Sequence, residues 1–180
     1  MNTLDIILKY YRPGSRTYEL LVVHSRQVVD KAIEIAEKLN DRNIDTAFVE
    51  EAAMLHDIGI FLTDAPSLGC SGPHPYLRHG YLGARILRKE GFDRHALVCE
   101  RHVGVGITRE DVLDHKLPLP ARDMLPITLE EKIICYADKF YSKNGSTPPR
   151  EKSLDQVVAD LKNYGNDQMD RFLEWHALLS

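Results

Sequence analysis

The sequence predicts an all-α fold. Three observations carry that prediction. Apolar residues recur at helical spacing, most clearly in the stripe Leu21, Val28, Ala32 and Ile35. Glycine and proline fall between the periodic stretches. Capping signals of the S/T-x-x-E/Q type, Thr128-x-x-Glu131 and Ser153-x-x-Gln156, open two of those stretches. No stretch reads as a convincing strand, and there is no internal repeat or low-complexity segment. The 180 residues fit one domain with one core.

The elements follow in order. A short helix over about Leu4 to Tyr11 is stopped by Pro13-Gly14. The long striped helix runs from about Tyr18 to Leu39. A third starts at Asp45 as N-cap and ends at Gly59. A loop with Pro66, Gly69, Gly72, Pro73 and Pro75 leads to a fourth helix, about Tyr76 to Glu90, stopped by Gly91. A fifth spans about Asp93 to Val103 and stops at Gly104. Thr108-x-x-Asp111 resembles a capping box for a short sixth. His115 to Pro126, with Pro118, Pro120 and Pro126, reads as a surface loop. The Thr128 helix reaches about Ser142, and Asn144-Gly-Ser-Thr-Pro-Pro forms a loop. The last helical region runs from Ser153 to about Leu178 with a break near Gly165.

Composition narrows the function. The net charge of −4 argues against a nucleic-acid scaffold, since duplex binders carry a basic surface. A local basic pocket for a small phosphorylated molecule fits that charge. No apolar run approaches the roughly 20 residues that span a bilayer. The N-terminus shows no signal-peptide pattern. Cys70, Cys99 and Cys135 are odd in number and widely spaced, which suggests free thiols in a reducing cytoplasm. Nothing in the sequence sets the oligomeric state.

The chemistry starts from His56-Asp57. Adjacent helical residues point about 100° apart, so the pair meets one ion from two sides only near a helix end. Gly59 marks such an end. His24 lies in the stripe, three after Leu21 and four before Val28. His56, His79, His102 and Asp138 also sit three or four residues from small or apolar neighbours, so each points inward. Isolated, each would be a buried polar liability; converging on metal, they become one site. His74, His95, His115 and His176 read as non-ligands, with His95 the nearest exception. Trp175 and Phe172 read as core or interface.

In that order, His24, then His56-Asp57-Ile58-Gly59, then Asp138, the chain resembles the HD superfamily of metal-dependent phosphohydrolases in its HDIG variant. His79 and His102 look like the two additional histidines of the dinuclear branch. The stretch Glu131-Lys-Ile-Ile-Cys-Tyr-Ala-Asp138-Lys139 is similar to the last motif of the HD-type hydrolases of symmetrical diadenosine tetraphosphate. The resemblance implies a helical HD domain over 1–180, with a motif core at about 18–142 and a C-terminal helical region at 153–180. It implies two divalent metals, iron or manganese being commonest, with zinc, magnesium, cobalt and nickel also compatible. His24, His56, Asp57 and Asp138 would hold the first, and Asp57 would bridge to the second at His79 and His102. The expected reaction is hydrolysis of a small phosphoester or nucleotide by a metal-bridged hydroxide, with Asp57 as ligand and proton acceptor. Arg78, Arg101, Lys116, Arg122, Lys139 and His74 are the candidate substrate contacts, Lys116 and Arg122 from a loop that would act as a lid. Three departures matter, one being a His102-to-Asp138 spacing longer than in the dinucleoside hydrolases, with the proline-rich loop inserted. Ile60 stands where many HDIG proteins carry a cation, and the GYP motif of cyclic dinucleotide phosphodiesterases is absent. The same ligand order also occurs in mixed-valence diiron oxygenases, and a non-catalytic nucleotide-binding module is a third reading.

Overall fold

The structure is a computed structural model and describes residues 2–39, 43–143 and 150–180. Among the described residues it has nine α-helices: α1 Thr3–Leu8, α2 Arg16–Lys38, α3 Thr46–Leu55, α4 His79–Lys89, α5 Asp93–Arg101, α6 Arg109–Asp114, α7 Leu129–Asp138, α8 Leu154–Lys162 and α9 Asn166–Leu179. The expected loop at Asn144-Gly-Ser-Thr-Pro-Pro lies outside the described residues.

The capping residues act as their chemistry requires. Ser15 accepts from the Tyr18 amide and Asp45 from the Phe48 amide. Thr108 and Ser153 form reciprocal boxes with Asp111 and Gln156. Thr128 makes only half of one. Its hydroxyl accepts from the Glu131 amide, but the Glu131 carboxylate turns to the Ile127 amide and to Arg101. The helices are also shorter than periodicity suggests. α3 stops at Leu55, α5 at Arg101 and α7 at Asp138, and in each case the residues beyond turn towards the site.

The expectation of no strand is corrected. Thr63–Ala65 (β1), Cys70–Ser71 (β2) and His74–Pro75 (β3) form a small sheet in the order β2-β1-β3. β1 is antiparallel to β2 and parallel to β3. Strands of two or three residues are too short to show alternation, and the prolines and glycines around them read as loop. This sheet folds the chain back from Asp57 so that α4 begins at His79.

α2 packs on α3 and α7, and α4 on α5. The larger core joins Val28, Ala32, Val49, Ala52, Ile133, Ile134, Phe172 and Leu179; a second joins α1 and α4 through Ile7, Leu55, Ile58 and Leu87. α9 belongs to the first core. Phe172 is fully buried and stacks on Tyr136 at a centroid distance of 4.9 Å. The same helix holds the turn after His102: Gln168 accepts from the Val105 amide and donates to the Gly106 carbonyl, and Arg171 donates to the Val105 carbonyl. Phe172→Ala is therefore expected to cost about 3–5 kcal/mol in urea unfolding. A loss below ~1 kcal/mol would mean that α9 is dispensable to the core.

Candidate metal centre

The site is built at helix ends. His56 caps the C-terminus of α3, His102 caps that of α5, and Asp138 is the last residue of α7. Three negative helix termini therefore converge, which favours a cation. His79 is the first residue of α4, and only His24 sits mid-helix, in α2. All six residues are buried, Asp57 and His56 completely.

Each of three imidazoles is fixed by a carbonyl three residues back. Nδ1 of His56 donates to Ala53 at 2.6 Å, that of His79 to Tyr76 at 2.7 Å, and that of His102 to Cys99 at 2.8 Å. A carbonyl only accepts, so Nδ1 carries a proton in each, and Nε2 of the neutral rings, His79 and His102, presents a lone pair inward. Nε2 of His79 and His102 then face each other at 3.1 Å. Burial lowers the pKa of His24 to about 4 and that of His79 to about 3, and it lowers His102 as well, so these rings are neutral at pH 7. Two opposed lone pairs in a dry site call for a cation beside them. For His56 burial acts downward too, but Asp57 and Asp138 outweigh it and raise its pKa to about 9.

Asp57 divides the site in two. Its Oδ2 lies 3.4 Å from His24 Nε2 and 3.3 Å from His56 Nε2, while its Oδ1 lies 3.3 Å from both His79 Nε2 and His102 Nε2. Asp138 Oδ1 completes the first side, 2.9 Å from His24 Nε2 and 3.4 Å from His56 Nε2. Two groups with ligand-capable atoms all within 4.8 Å of one another result: His24, His56, Asp57 and Asp138, and Asp57, His79 and His102. His56 Nε2 and both Asp57 oxygens are buried without an aligned hydrogen-bond partner. Carboxylate oxygens ringed by imidazole Nε2 atoms are a donor set that fits divalent metal ions, with His56 giving up its Nε2 proton to join it. Burial would raise the Asp57 pKa, but the Lys143 ammonium and the His56 ring outweigh it and hold the carboxyl well below the usual range.

The other expected residues distribute unevenly. Lys139 turns back to the site, its ammonium 2.6 Å from Asp138 Oδ2 and 3.2 Å from the His102 carbonyl. Arg78 precedes His79; its Nε is buried without a partner and its NH1 lies 3.3 Å from His74 Nδ1. Arg101 instead donates twice to Glu131, and Arg122 pairs with Glu100, which also takes Arg88. Lys116 is exposed at positive φ. His95 pairs with Glu51, and His176 meets the Tyr136 hydroxyl. Two residues near the centre carried no sequence expectation. Lys143 reaches Asp57, and Tyr76 stacks on His79 at 4.6 Å. A lysine five residues past the last acidic ligand was the only available signal for the first.

Comparison with known proteins places this arrangement. The HD domain family matches residues 21–142. An uncharacterised protein of Methanocaldococcus jannaschii is 41% identical over 125 residues, 68% of this chain and 66% of its own length. A tRNA (cytidine(56)-2'-O)-methyltransferase of Thermoplasma volcanium is 34% identical over 180 residues, 98% of this chain and 45% of its own length. One from Picrophilus torridus is 35% identical over 164 residues, 90% of this chain and 42% of its own. The chain thus spans under two thirds of these curated relatives, and less than half of the methyltransferases. The HD domain of the L. monocytogenes phosphodiesterase PgpH is similar in fold, with a TM-score of 0.55 at 15% identity, over 97% of this chain and 94% of that one. The family match covers more than half of the sequence and includes all six buried residues: this chain belongs to the HD domain family.

Proposed function

We propose that the chain is a metal-dependent phosphohydrolase for a small phosphoester or nucleotide, working with two divalent ions, iron or manganese first. The observation that carries this reading is Asp57, whose two oxygens face two separate ligand groups. When bound, a pair of divalent ions lowers the pKa of water and neutralises phosphate oxygens. The residues supply the rest. Asp57 is ionised at neutral pH and offers both oxygens as ligands, and we assign it also the proton that water loses, a role its lowered pKa makes harder. Lys139 braces Asp138 and the His102 carbonyl. Arg78, with one unpartnered nitrogen beside His79, is the first choice for a substrate phosphate oxygen, and His74 orients it. Arg101 and Arg122 would have to leave buried carboxylates to serve there, and Lys116 would have to be carried in by its loop. A nucleotide substrate is supported by a fold neighbour, PgpH, whose HD domain was crystallised with cyclic-di-AMP. We read 1–180 as one HD domain.

The test is metal analysis of anaerobically purified protein, followed by a phosphoester and nucleotide panel. Two equivalents of metal per chain are expected, with hydrolysis that a chelator abolishes and manganese or iron restores. Oxygen consumption by a stable mixed-valence centre would favour the oxygenase reading. Metal-loaded protein inert to the whole panel would favour a binding module.

A further inference from the structure

Lys143 belongs to no motif, yet it reaches the centre of the site. It follows α7 in a non-helical run, with its side chain 15% exposed. Its Nζ lies 2.7 Å from Asp57 Oδ2 and 3.7 Å from Asp138 Oδ1. Those are the two oxygens that, with Nε2 of His24 and His56, define the first ligand group.

Lys139 behaves differently. It takes the other oxygen of Asp138, Oδ2, together with the His102 carbonyl, and leaves Oδ1 to the ligand group. One lysine therefore braces a ligand from outside while the other sits on the ligand atoms themselves. An ammonium and a divalent cation cannot share the same oxygens in a dry site, because their repulsion is barely screened there. Binding of the cation must move the ammonium away. Its backbone stays just beyond α7, so a flexible four-carbon stem keeps the displaced charge at the rim of the centre. A cation at that rim faces whatever anion the site holds.

We propose that Lys143 is a two-position residue, which yields Asp57 and Asp138 to the divalent cation and then contacts the anionic group of the substrate. This rests on the metal-centre reading above. It makes Lys143 a substrate-binding residue supplied from beyond the last ligand motif, and it supplies locally the cation that Ile60 does not.

The test uses the full chain stripped with a chelator. Mn2+ is titrated calorimetrically into wild type, Lys143→Met and Lys143→Arg; inorganic phosphate is then titrated into each Mn-loaded protein. Removing the charge is expected to tighten Mn2+ about tenfold and to weaken phosphate about tenfold, the scale of one charge-assisted contact. Arginine keeps the charge and should stay close to wild type on both readings. If the methionine variant does not fold, Lys143→Gln takes the same measurements. Unchanged or weaker Mn2+ binding in the neutral variant overturns the exchange, and unchanged phosphate binding overturns the second position. Wild type that takes up neither Mn2+ nor, under anaerobic conditions, Fe2+ removes the metal-centre reading itself, a failure separate from either of these.

Discussion

Asp57→Asn is expected to lose both metals and to lower phosphoester turnover by about 10³-fold or more, beyond the 10- to 100-fold typical of changes to outer partners. The reason lies in its two faces. Oδ2 and Oδ1 each stand within 3.4 Å of two imidazole Nε2 atoms, and no other described residue belongs to both ligand groups. Asparagine keeps the shape but removes the charge and turns one face into a donor, which repels a cation. The chain should still fold. Asparagine fills the same space, and the Lys143 ammonium, which loses its 2.7 Å ion pair with Asp57, sits on a flexible stem and keeps Asp138 within reach. Metal content by mass spectrometry, circular dichroism and steady-state rates together decide the point. A folded variant with two metals and an unchanged rate would sink the scheme.

Much of this candidate site was legible because most of the residues that could hold a metal lie on apolar faces. His24 stands in the α2 stripe between Leu21 and Val28, and the inward placement of His24, His56, His79, His102 and Asp138 agrees with their burial; Asp57 was reached only as the neighbour of His56. The pairing of their atoms was less legible. His56, His102 and Asp138 act at helix termini, where a periodicity argument loses its frame, and the helices end earlier than their apolar patterns do. Cations were the hardest to assign. Arg101 and Arg122 look as available in sequence as Arg78, but Glu131 and Glu100 lie 30 and 22 residues away from them. Only tertiary packing brings such partners together. Lys143 escaped for the opposite reason: it lies in the non-helical run after α7 and has no face to be read from.

Gly59→Ala is expected to do damage that its backbone does not foretell. Gly59 has φ −85° and ψ −2°, a conformation that alanine adopts readily, and alanine is the better residue near helical geometry. Space decides otherwise. A Cβ at Gly59 would lie 2.2 Å from the His79 carbonyl oxygen and 2.4 Å from the Gly83 amide nitrogen, both backbone atoms of α4. α4 cannot give way on its far side, because a Cβ at its own Gly80 would already stand 2.4 Å from the Cys99 carbonyl of α5. The helix must shift, and His79 at its first position shifts with it. Overpacking of this kind costs about 1–3 kcal/mol. Misplacing a ligand by about 1 Å is worth roughly 100-fold in rate. The expected variant is therefore folded, less stable, and holds one metal rather than two, with His24, His56, Asp57 and Asp138 still in place. Gly91→Ala supplies the control. Gly91 sits at φ +85° with nothing within 4 Å of an added Cβ, so alanine there costs about 1–2 kcal/mol of backbone strain and leaves both metals bound. If the two variants lose stability equally and keep the same metal content, then Gly59 does not seat α4. The glycine of the HDIG motif would then need an explanation other than the close approach of two backbones.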